Sequence, residues 1–143
     1  MTLYEQASTF HGLTERPGPG SNPEILEMIK SMFPNAVDDS EVAWCSIFIN
    51  YVAKLAGYER SGSGMARSWE TVGTPIPDIG RMIGDVVVFW RGSKTSGKGH
   101  VGLYVNDTRD GRIRVLGGNQ SDSVNIRIMG WGKVVCFRRL NKV

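Results

Sequence analysis

The apolar residues change period partway along the chain, and that change divides it into a helical first part and a stranded second part. Ile25, Leu26, Met28, Ile29 and Met32 recur at helical spacing behind Asn22 and Pro23, a good N-cap and first-turn pair, and Pro34 stops the run. A shorter helix is expected from Leu3 to about Phe10, ending at Gly12. After the acidic stretch Asp38-Asp39-Ser40-Glu41, the residues Cys45, Phe48, Ile49, Val52, Leu55 and Ala56 again repeat with helical period, and Gly57 is a C-terminal stop. Between the first two helices, residues 16 to 23 hold too much Pro and Gly for regular structure. A Gly/Ser-rich loop over residues 60 to 64 leads to a short helix around Ala66-Arg-Ser-Trp69.

From Asp85 onward the pattern becomes that of strands. Val86 to Trp90 is a continuous buried-type run, and Val101, Leu103 and Val105 alternate with other residues from His100. Residues 106 to 111 have hairpin chemistry and lead to a strand at 112–116, with two more strands expected near 124–128 and 133–138. Helices followed by an antiparallel sheet of about five strands predict an α+β fold, expected as one domain over residues 1–143. With Asn106 opposite Arg112, His100 falls opposite Gly118, and Val101, Leu103 and Val105 share a face with Ile113 and Val115. A bulge at the paired glycines Gly117 and Gly118 would then bring Asn119 beside His100.

Composition narrows the chemistry. Two cysteines are too few for a disulfide scaffold or a four-thiolate zinc site, and His100 has no second histidine at ligand spacing, so no metal or cofactor is expected. The formal charge of +3 is spread without a block of like charges, which argues against a nucleic-acid tail. No apolar run approaches the ~20 residues of a membrane span, and residues 1–6 carry no secretory signal pattern. Gly92 to Lys98 mimics the start of a phosphate-binding loop, but Gly99 replaces the required hydroxyl and a strand follows where a helix is needed. Asp38, Asp39 and Glu41 crowd one helix start, where capping explains them better than paired-carboxylate catalysis.

Two cysteines and two histidines allow four thiol–imidazole pairings. Cys136 sits in a strand run suited to a small buried thiol, and His11 at a helix end suited to capping carbonyls. Cys45 stands near the start of an apolar helix, where free N–H groups favour a thiolate if the helix begins near Ala43 rather than Asp38. Plain core is the competing role for Cys45, and a surface strand position the competing one for His100. Asn119, if the bulge at Gly117 and Gly118 forms, is the candidate to fix the imidazole tautomer through Nδ1–H, leaving Nε2 to serve the thiol. Trp44, Trp69 and Trp90 could equally line a groove or fill the core. Arg67 could meet a substrate carboxylate or simply solubilise the surface.

Trp44-Cys45-Ser46, the strand Gly84 to Phe89, Gly99-His-Val-Gly102 and Gly117-Gly-Asn-Gln120 resemble the CHAP and NlpC-like papain-fold cysteine hydrolases, and within them a small phage and prophage group. The resemblance covers roughly residues 38 to 139. It implies cleavage of a peptidoglycan amide by a Cys45 nucleophile, a His100 base and Asn119 as third member, with Gln120 as its rival, and Trp44, Arg67, Trp69, Trp90 and Gln120 are the candidate substrate contacts. It departs from the NlpC pattern at Trp44, where Asp is common, and offers no second histidine; Gly117 stands where CHAP enzymes often carry Glu. The implied setting is a monomeric phage endolysin, made in the host cytoplasm and acting in the periplasm, with peptidoglycan as partner and no nucleic acid or membrane insertion. A non-catalytic basic module binding wall polymer or nucleic acid is the alternative class.

Overall fold

A computed structural model describes residues 1–16, 22–36 and 43–143. The acidic stretch at 38–41 and most of the Pro/Gly-rich segment lie outside the described residues. Helix α1 (Leu3–Ser8) opens with a capping box in which Thr2 and Glu5 satisfy each other's backbone N–H. Helix α2 (Pro23–Lys30) starts as its sequence dictates, with the Asn22 side chain accepting from the N–H groups of Glu24 and Ile25. Helix α3 (Cys45–Ala56) ends where Gly57 adopts φ 79°, a left-handed conformation that costs glycine little. None of these helices is long and apolar enough to cross a membrane.

Six antiparallel strands form one sheet: β1 (Thr74–Ile76), β2 (Val86–Trp90), β3 (Gly99–Asp107), β4 (Ile113–Gly117), β5 (Asn125–Met129) and β6 (Val134–Arg139), in the order β1-β6-β2-β3-β4-β5. The sixth strand is β1, whose three residues Thr-Pro-Ile carry no strand signal. Proline is tolerated there because the strand lies at the sheet edge and pairs only with β6. The segment at 91–98 joins β2 to β3, as expected for a polar connection rather than a phosphate loop.

The helices cover one face of the sheet. Ile25, Ile29, Trp44, Phe48, Ile49 and Val52 meet Val86, Val88, Val101, Leu103 and Leu116 in the main core. A smaller cluster on the other face holds Val87, Phe89, Tyr104, Ile113, Val115 and Phe137. The guanidinium of Arg81 lies 4.7 Å from the Trp131 ring centroid beside this cluster. This division corrects the expected hairpin register. Leu103 pairs with Leu116 and Tyr104 with Val115, and the irregularity falls between Tyr104 and Asn106 rather than at Gly117-Gly118. One residue of slip moves every side chain to the opposite face, so Ile113 and Val115 lie across the sheet from Val101 and Leu103.

Candidate active site

Cys45 is the first residue of α3, with Trp44 at the cap position and no side-chain cap bond. The N–H groups of a first turn have no intrahelical acceptors, and those of Cys45 and Ser46 act on the thiol together with the backbone of Val101 on β3. The thiol therefore abuts the strand one residue beyond His100. It keeps 6% exposure, whereas the flanking Trp44 and Ser46 keep none. Burial pushes the Cys45 thiol above its ordinary range, against the pull of those N–H groups and of the Arg91 charge.

His100 is the second residue of β3 and is buried opposite Phe89, with the two ring centroids 6.2 Å apart. Its Nε2 lies 2.9 Å from Oε1 of Gln120. The orientation of that amide is fixed by its other end: Gln120 Nε2 donates to the backbone carbonyls of Val115 at 3.2 Å and Asn125 at 2.8 Å. A carbonyl can only accept, so Oε1 is left facing the ring, and His100 must carry its proton on Nε2. Nδ1 is then the basic nitrogen, the reverse of the tautomer expected from the hairpin. Burial pushes the imidazole pKa below its usual range, opposed by the Gln120 bond and reinforced by Arg91 and Arg127. Both shifts favour the neutral thiol and the neutral imidazole.

The two glycines ahead of this pair make room for it instead of forming a bulge. A Cβ on Gly117 would stand 2.6 Å from Gln120 Oε1, and one on Gly118 would stand 2.7 Å from both Trp44 and Phe48. Asn119 then takes φ 56°, a left-handed conformation asparagine tolerates better than most residues, and it turns the chain so that Gln120 points back at His100. The register supplies the physical reason that Gln120, and not Asn119, meets the ring. The side chain of Asn119 instead lines a cavity of about 480 Å³ beside His100, with Phe89, Trp90, Arg91, Arg127 and Lys133.

Several candidate substrate contacts are used internally. Trp44 is fully buried and donates from its indole to Glu15 at 2.7 Å. Trp69 is fully buried and donates to Ser46 Oγ at 2.9 Å. Ser46 in turn donates to the carbonyl of Ser63 at 2.6 Å, tying α3 to the Gly/Ser-rich loop. Neither indole can meet a substrate; the core role is the correct one for both. Arg67 pairs with Glu70 at 2.5 Å and donates to the carbonyls of Lys94 and Lys98, so it holds the β2–β3 connection. Gln120 is 1% exposed and reaches His100, not solvent. Trp90 alone of the three tryptophans lines the cavity. Cys136 lies half-buried on β6 opposite Val88, and His11 is exposed beyond α1, so neither approaches this constellation. Arg127, Arg91 and Lys133 were legible only as scattered basic residues, because nothing local marks three separate segments as one wall.

Helices packed on one face of an antiparallel sheet, with a thiol at a helix start and an amide-oriented imidazole on a strand, form a papain-like α+β architecture. The CHAP domain model matches residues 37–119, and the chain belongs to the CHAP domain family. CHAP domains are typically cysteine- and histidine-dependent amidohydrolases or peptidases, with peptidoglycan as the substrate the family implies. No curated protein matches the chain. Gln120 lies one residue beyond the matched segment.

Proposed function

We propose that this chain hydrolyses an amide bond of the peptidoglycan peptide stem through a thiol mechanism in which Cys45 is the nucleophile, His100 the base and Gln120 the residue that orients the imidazole. The observation that carries the reading is the forced tautomer of His100: Gln120 holds Nε2–H and leaves Nδ1 free as a proton acceptor. Because burial disfavours both the thiolate and the imidazolium, the proton stays on Cys45 until substrate arrives. Nδ1 of His100 then takes the proton as Sγ attacks the scissile carbonyl, and the Gln120 carbonyl stabilises the charge that develops on the ring. The N–H of Cys45, which at the helix start has no intrahelical acceptor, is the donor for the tetrahedral oxyanion. His100 returns the proton to the leaving amine, and water resolves the thioester by the reverse steps. Substrate approaches along the cavity walled by Trp90, Asn119 and His100.

The finer setting is a phage endolysin made in the host cytoplasm and delivered to the periplasmic wall, supported by the resemblance of the Trp-Cys and Gly-Gly-Asn-Gln elements to phage sequences. Mass spectrometry of muropeptides released from purified sacculi tests the activity. Wild type releases peptide-bearing fragments whose masses locate the cut, either at the sugar–peptide amide or within the stem, and Cys45→Ala releases none. Undiminished release by Cys45→Ala overturns the mechanism and returns the chain to the non-catalytic class.

A further inference from the structure

The wall of the cavity beside His100 contains Arg91, Arg127 and Lys133 and, among the described residues, neither Asp nor Glu. They come from three places: the turn after β2, strand β5, and the short helical turn Trp131–Lys133. Elsewhere Arg67, Arg81, Arg112 and Arg139 each meet a carboxylate within the chain, whereas Arg91 and Arg127 are exposed and have no such partner among the described residues. Lys133 lies 5.4 Å from the centroid of the Trp90 ring, which it stacks against the same wall. The indole Nε1 of Trp90 is buried and has no hydrogen-bond partner among the described residues.

We infer that Arg91, Arg127 and Lys133, the last held over the Trp90 ring, form a carboxylate subsite, selecting peptide stems that carry a free carboxylate beside the scissile amide. The inference rests on the proposed hydrolase reading and deepens it. A carboxylate supplies two acceptor oxygens that match a guanidinium fork and a negative charge that the three cations complement, which a neutral carboxamide cannot do. Arg91 and Arg127 already act electrostatically on His100, so an anion placed here also relieves their opposition to the imidazolium that forms during catalysis.

The test measures binding without turnover. N-acetylmuramyl-L-alanyl-D-glutamate and its counterpart with both carboxyl groups converted to carboxamides are titrated into Cys45→Ala protein by calorimetry and by the indole N–H resonance of Trp90. The acid is expected to bind about tenfold more tightly than the amide, with the advantage shrinking as salt rises. Arg127→Gln with Lys133→Gln brings the two ligands to within about twofold, while Arg127→Lys keeps most of the preference; circular dichroism confirms that each variant is folded. Equal affinity for acid and amide, no binding of either, or a preference that survives the double substitution overturns the subsite. Failure of wild type to cleave either compound or sacculi overturns the hydrolase reading and leaves the binding result standing.

Discussion

Replacing Gln120 tests the site at its most informative point, because this amide is buried and every polar atom of it is used. Gln120→Ala removes the acceptor 2.9 Å from His100 Nε2 and the donors to the carbonyls of Val115 and Asn125. Each buried polar group left without a partner costs about 1–3 kcal/mol. Asn125 is only half-buried and can recruit water, so the net loss of stability is about 2–4 kcal/mol. The effect on rate has a separate origin. The ring becomes charged during the reaction, and a hydrogen bond to a charged group is worth roughly 1.5–3 kcal/mol, or about 10- to 150-fold in kcat. The assay pairs sacculus turnover at a temperature where the variant is folded with ¹⁵N NMR of the histidine ring. Wild type shows the Nε2–H tautomer for His100, and Gln120→Ala shows a mixture. A purely structural role for Gln120 would lower stability without moving either kcat or the tautomer. If Asn119→Ala loses activity at least as strongly while Gln120→Ala turns over at the wild-type rate, the assignment of Gln120 to the imidazole is refuted and Asn119 takes its place.

Gly118→Ala is expected to destabilise by about 1–3 kcal/mol and to lower kcat, since the new methyl group displaces Trp44 and Phe48, on either side of the nucleophile; chemical denaturation and turnover measured together check it. Asp85 is 2% exposed and holds Arg139 by two bonds of 2.8 and 2.9 Å, so Asp85→Ala should cost about 2 kcal/mol, discounted because the arginine is partly solvated, with little change in kcat. The folded-state pKa of His100 is lowered, so its contribution to stability is present above about pH 6.5 and is lost as pH falls toward the folded value. That of Cys45 is raised, so its contribution is present below about pH 9 and is lost as pH rises through the folded value. Urea midpoints should therefore plateau between these limits, and Cys45→Ala should flatten the alkaline side; an unchanged alkaline slope in that variant contradicts the shift.

Much of this molecule is determined by short-range sequence. Asn22-Pro23 starts α2, Gly57 ends α3, and the apolar run from Val86 makes a central strand, because capping, φ preference and period act over a few residues. The same short-range signals separate Cys45 and His100 from Cys136 and His11, since a helix start and a strand start are local features. Tertiary structure decided what those signals could not reach. Hairpin loop chemistry leaves the register open by one residue, and the irregularity at Tyr104–Asn106 sets which face each strand residue takes. That slip, with the left-handed turn at Asn119, hands the imidazole to Gln120. Trp44, Trp69 and Trp90 are alike as residues, and only packing of α3 against the sheet buries the first two and leaves the third on the cavity wall. The convergence of Arg91, Arg127 and Lys133 on one cavity likewise exists only once the end of β2, strand β5 and the turn before β6 are brought together by the fold, because proximity between distant segments has no counterpart in sequence spacing.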